Sequence, residues 1–282
     1  MTIGIGVLCE GGKCIVLASD TRASYKSGRP HDVCAKQFDL PPFPFVGLIA
    51  GEVSCAASVV SQMCAEFREI PSPPATQLAH IIRAFNNARF HIFEERVDAQ
   101  MRQYLCTGLT EWKQGPLDAR VYRGGKAVIR TTKLPVHIIV AGFLRTDEFV
   151  FLRGIQKRPH EEEASPGVYV IGATEASEFA NEVLRRRKQC LDFGLPRTLL
   201  HIYEAMKAAR KDHSVGNPSW YVVLRPNDMM RFPSNSIHLR NWEKAYKNRV
   251  STVSLEESAE AHRQIEMQLR VHEPKLLERD RN

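Results

Sequence analysis

Thr2 stands directly after the initiator methionine, and it is the residue of this chain with the most distinctive chemistry. A threonine hydroxyl is a poor nucleophile near neutrality and needs an adjacent proton acceptor. A free α-amine, with an ordinary pKa of roughly 7.7 to 8, can be that acceptor. Removal of Met1 would place nucleophile and base on one residue. Asp20-Thr21-Arg22, Lys36 and Gly51 supply further groups suited to the same task. A lysine held near the threonine would favour its deprotonation by Coulomb attraction, and Asp20 could keep that lysine charged and oriented. Arg22 would add positive potential, and the Gly51 N–H could stabilise an oxyanion. Taken singly, each has an ordinary reading: a surface ion pair for Asp20 and Arg22, a solvated side chain for Lys36, a strand-to-helix turn for Gly51.

Those residues need strands to hold them. The run from Thr2 to Leu8 reads as a strand starting at the N-terminus, followed by a glycine turn at 9–13 and an apolar run at 14–19 that ends on Asp20-Thr21-Arg22. That is a hairpin closed by a charged cluster. A second pair of apolar segments surrounds Lys36 and residues 45–50, and the latter leads into Gly51 and a helix. Residues 52–70 have helical apolar spacing, ended by Pro71-Ser72-Pro73-Pro74, and a second helix is expected from about Thr76 to about Trp112. Gly115-Pro116 and Gly124-Gly125 predict loops around a short hairpin at 119–123 and 127–131. Strands follow at 136–143, 148–153 and 167–172, helices at 175–189 and 197–211, and a final strong strand at 219–225.

The whole arrangement resembles a proteasome β-subunit, within the N-terminal nucleophile hydrolases, and bacterial HslV and Anbu-type subunits in particular. The resemblance is carried by Thr2, by Asp20-Thr21-Arg22 at the end of the second strand, by Lys36, and by Ile49-Ala50-Gly51 running into a helix. It covers roughly residues 2–232. It implies an α+β fold, a four-layer αββα sandwich, and the element order fits two sheets with helices on their outer faces. It further implies that Thr2 is the nucleophile and its amine the base, with Lys36 lowering the pKa, Asp20 partnering Lys36 and Gly51 donating to the oxyanion. Asp212, in Lys211-Asp212-His213-Ser214, matches the aspartate that the family places near the nucleophile, while Ser214 sits one residue out of register. Thr21, Ala23 and Glu52 fall where such folds contact substrate, and Tyr25, Lys26, Arg29 and His31 make that wall polar and mixed in charge. Where the family usually has a serine beside the N-terminal amine, this chain has Ala173, whose side chain can neither donate nor accept; Thr174 would have to take over. His213 reads as a loop residue at a helix end and His201 as a hydrogen-bonded core or interface group, neither needed if the amine is the base.

The implied activity is threonine-type hydrolysis of peptide bonds without metal or organic cofactor. Two alternatives stand beside it: a catalytically silent subunit that only assembles, which Ala173 permits, and an amidohydrolase of the same fold acting on other substrates. The resemblance also implies self-assembly into a ring or spiral homo-oligomer, substrates that are peptides or unfolded chains, and an ATP-dependent unfoldase as a further partner. With 43% apolar residues in 282 the chain can bury a large core, and it has neither a run of transmembrane length nor a signal-peptide pattern at its start, so a cytoplasmic location is expected. Seven cysteines, odd in number and scattered without zinc-ligand spacing, point to buried free thiols. The net charge of +7 is spread among acids, which makes nucleic acid an unlikely partner. The expected organisation is a hydrolase domain over 1–232, enlarged by a helix and hairpin at about 94–134, and a charged, helix-prone C-terminal extension over 233–282.

Overall fold

The opening apolar run forms β1 (Ile3–Cys9), and after a single turn of 3-10 helix at Glu10–Gly12 the chain returns as β2 (Cys14–Asp20). Both strands are buried along their whole length, which is why neither alternates polar with apolar residues. The computed structural model describes residues 3–22, 36–71, 75–115, 118–154, 167–216 and 219–232. It divides into one unit formed by residues 1–35 and 165–282 and another formed by residues 36–164.

In the first unit, β7 (Val168–Gly172), β8 (Ser219–Arg225) and β9 (Asp228–Phe232) complete an antiparallel five-stranded sheet in the order β7-β1-β2-β8-β9. Two helices, α5 (Thr174–Arg186) and α6 (Leu195–Ala209), cover one face of it. Ile3, Ile5 and Val7 of β1 and Val16 and Ala18 of β2 meet Ala176, Ala180, Ile202, Ala205 and Met206 there. The small residues on the helices let the backbones approach the strands closely. Cys9 and Cys14 face one another across the hairpin, and the hydrogen bond of the Cys14 thiol with Cys9, together with burial, pushes that thiol far up, which keeps it inert.

In the second unit, β3 (Gln37–Asp39), β4 (Val46–Gly51), β5 (Val136–Arg145) and β6 (Glu148–Gly154) form an antiparallel sheet in sequence order. It packs on α1 (Val53–Arg68) and α2 (Leu78–Leu105), with Phe43, Phe45 and Phe67 in edge and stacked contacts at the centre.

The region 94–134 departs from expectation twice. The long helix stops at Cys106, whose left-handed φ of 54° ends it, and α3 (Leu109–Gln114) starts afresh after Gly108. Cys106 is exposed, unlike the buried thiol expected of it, because it occupies that helix end. The predicted hairpin is instead one helix, α4 (Ala119–Thr131), begun by Asp118, whose side chain accepts from the Arg120 N–H at 2.6 Å. Its two glycines mark close packing rather than a turn. A Cβ on Gly125 would lie 2.1 Å from Trp112 Nε1, and one on Gly124 would lie 2.7 Å from Leu105 Cδ2. Val128 and Ile129 of α4 close a small separate core with Val97, Met101 and Leu109. Gly125→Ala is therefore expected to destabilise by about 1–3 kcal/mol through overpacking, although alanine is the better helix former by about 1 kcal/mol. A thermal melt at or above wild type would contradict this packing. Among the described residues no helix is long and apolar enough to cross a membrane.

Candidate functional site

In the first unit the groups of interest gather where β1 begins. Antiparallel pairing of Gly4 with Ser19 brings Asp20, the last residue of β2, back beside Ile3. The Asp20 side chain is fully buried, and three backbone N–H groups satisfy it. Ile3 donates to Oδ1 at 2.9 Å, while Arg22 and Gly216 donate to Oδ2 at 3.2 and 3.0 Å. The carboxylate thus grips the residue directly after Thr2. Thr2 itself and Ala23 lie outside the described residues. Thr21 is buried, its hydroxyl without a hydrogen-bond partner among the described residues, and Arg22 donates to the His213 carbonyl at 2.9 Å.

On the other side of β1, Ile3 pairs with Gly172, so β7 gives way to α5 at this same end of the sheet. Ala173 is the N-cap of α5 and makes no side-chain capping bond. Thr174 is exposed, and its hydroxyl makes no hydrogen bond among the described residues, which do not include Thr2. Asp212 does part of that work from the turn after α6. Burial pushes its carboxyl up, but hydrogen bonds from the Ser214 N–H, at 2.8 Å, and from the Ala176 N–H in the first turn of α5 outweigh burial and hold it below the usual carboxylate range.

A carboxyl depressed in the folded state adds stability above its unfolded pKa of about 3.9, and that stability is lost as pH falls through the folded value. Asp212→Asn is accordingly expected to be less stable than wild type at pH 7, by about 0.3–1 kcal/mol for the lost charge at a helix N-terminus. The two melting curves should converge as pH falls through the folded value. A gap independent of pH would rule out the charge as its cause.

In the second unit Lys36 precedes β3. The residue is 5% exposed, and its carbonyl accepts from the Ile49 N–H at 3.0 Å. Alternation along an antiparallel strand turns the Gly51 N–H to the same edge of β4 as that of Ile49. Gly51 has a φ of +132°, and a Cβ there would lie 2.1 Å from the Pro135 carbonyl oxygen, so only glycine fits. Glu52 follows as the N-cap of α1, its N–H donating to Pro135 O at 2.9 Å. Its carboxylate accepts from the Ser54 hydroxyl at 2.8 Å and lies 3.8 Å from Arg96, a neighbour on α2 that the sequence reading missed.

Each unit therefore brings together part of the expected set: Asp20, Thr21, Arg22 and Asp212 around the start of β1, and Lys36, Gly51 and Glu52 around the end of β4. The sequence reading also missed the Gly216 N–H, a partner 196 residues from Asp20 that no local signal marks. His201 is a core group, 3% exposed and 2.6 Å from Gln189, as expected, while His213 contributes its carbonyl. Among the described residues no cluster of three or more His, Cys, Asp or Glu is placed to hold a metal ion.

Two antiparallel sheets, each with its helix pair, and an N-terminal strand inside the five-stranded one define a mixed fold of the Anbu type, the proteasome-like β-subunit architecture. An Anbu Gly-1 mutant from Hyphomicrobium sp. strain MC1 matches with a TM-score of 0.56 at 17% identity, over 90% of this chain and 98% of that one. Anbu from the same strain matches with a TM-score of 0.55 at 16% identity, over 90% and 98%. Anbu from Yersinia bercovieri, described as an ancestral β-subunit, gives 0.58 at 11% identity, again over 90% and 98%. No family model and no curated protein sequence matches the chain.

Proposed function

We propose that this chain is a proteasome-like N-terminal threonine hydrolase that cleaves peptide bonds after removal of Met1. The observation that carries the reading is the Ile3 N–H held by buried Asp20, which fixes the backbone one residue from Thr2. A nucleophile on a chain terminus needs such an anchor, because a free end otherwise frays.

In this reading the Thr2 hydroxyl oxygen attacks the scissile carbonyl and its proton passes to the Thr2 amine, directly or through water. The tetrahedral oxyanion is stabilised by the Gly51 N–H. Its collapse expels the amine product, which takes up the proton, and leaves an acyl-threonine; water, deprotonated by the same amine, then releases the acid and restores Thr2. Lys36 and Arg22 supply positive potential, Asp20 and Asp212 hold backbone around the nucleophile, and Thr21, Ala23 and Glu52 contact substrate. No metal or organic cofactor takes part.

The same reading carries the four-layer αββα sandwich over 1–232, the extension over 233–282, a cytoplasmic location, and assembly into a homo-oligomeric ring or spiral. Peptides or unfolded chains would be its substrates, with an ATP-dependent unfoldase as a further partner. A silent assembly subunit is the second reading, favoured by Ala173, whose side chain can make no hydrogen bond where the family supports its amine.

Intact mass and N-terminal sequencing, followed by fluorogenic peptide assays of wild type and Thr2→Ala, test these readings. The proposal expects a chain lacking Met1 and a rate in Thr2→Ala at least ~10³-fold lower. Retained Met1 with no turnover would establish the silent subunit, and undiminished turnover by Thr2→Ala would remove Thr2 from the mechanism.

A further inference from the structure

The region 94–134 carries a feature that hydrolysis does not use. Arg120, Arg123, Lys126 and Arg130 are exposed along α4, a helix whose thirteen residues include no acid. At 100° per residue the four fall within about 120° of arc and extend over about 15 Å of helix. The buried side of α4, with Gly125, Val128 and Ile129, lies opposite. None of the four forms an ion pair among the described residues, and neither does exposed Lys133 just beyond the helix. Neighbouring charges behave differently: Lys113 pairs with Glu94 at 2.6 Å and Arg102 with Asp98 at 2.8 Å.

An unneutralised cationic stripe costs self-repulsion and calls for an anionic partner. Two observations decide what kind. Tyr122, the aromatic residue on α4, is stacked on Trp112 at 5.5 Å and carries Lys126 Nζ 4.4 Å from its ring centroid, so it offers no platform for a nucleic-acid base. The four cations also form one row on one face of a single helix, whereas a duplex presents two phosphate backbones. A single row of cations about 15 Å long matches one helical row of carboxylates.

We propose that the outer face of α4 docks an acidic helical segment of a partner protein, with carboxylates at i, i+3, i+7 and i+10 facing Arg120, Arg123, Lys126 and Arg130. The test uses the whole chain and a fluorescein-labelled alanine-based helical peptide with glutamates at that spacing, followed by anisotropy at low and high salt. The expected result is salt-sensitive binding, weakened at least about tenfold in an Arg120→Glu, Arg123→Glu, Arg130→Glu variant whose circular dichroism matches wild type.

Absence of binding to wild type, or equal binding of the matching glutamine peptide, overturns the proposal. Tighter binding of a labelled DNA duplex than of the acidic peptide assigns the face to nucleic acid and overturns it too. A change in sedimentation of the variant alone does the same, because the face would then be covered by a second copy of this chain.

Discussion

Asp20→Ala is expected to destabilise the protein by about 4 kcal/mol, since each buried donor left without an acceptor costs about 1–3 kcal/mol and three N–H groups lose theirs. Those groups belong to Ile3, Arg22 and Gly216, so the N-terminal strand, the end of β2 and the turn before β8 all loosen together. Asp20→Asn should recover only part of the loss, because its amide presents one acceptor and one donor to three donors. Urea denaturation of both variants measures this. A loss below about 1 kcal/mol for Asp20→Ala would mean that water replaces the carboxylate and that the anchor is dispensable.

Gly51→Ala is expected to do comparable damage by another route. A methyl group there meets the Pro135 carbonyl at 2.1 Å, a backbone atom that cannot rotate away, and the φ of +132° is strained for any L side chain. The chain must move β4 against β5, at a cost of about 3 kcal/mol or more. Gly11→Ala is the control. Its φ is +66° but nothing lies within 4 Å of the added carbon, so the strain alone of about 1 kcal/mol applies. Comparable melting temperatures for the two variants would show that the contact at Pro135 relaxes easily.

The parts of the fold legible in the sequence were those with one dominant signal. The unbroken apolar runs around Val7, Leu17 and Val140 are strands, and the threes and fours through Ile81, Phe85 and Ala88 are one helix face. Gly124-Gly125 misled because a glycine pair is ambiguous: the same absence of Cβ that permits a turn permits Trp112 and Leu105 to lie against a helix, and only the tertiary partner decides. At the site, residue types were readable but partners were not. The described hydrogen bonds of Asp20 run to three backbone N–H groups, one of them 196 residues away. No local pattern encodes a contact at that separation.

That separation has a consequence for how the protein matures on the ribosome. Residues 36–164 are contiguous and can close their own contacts as they emerge, whereas the five-stranded sheet needs β1 and β2 to wait for β7 and β8. Until Gly216 has been synthesised, the buried end of β2 lacks one of its donors and β1 has strands missing on one side. β1 thus spends most of translation without its full set of neighbours and is locked only when the later strands arrive. Order of synthesis therefore leaves the buried end of β2 among the last parts of the sheet to be completed.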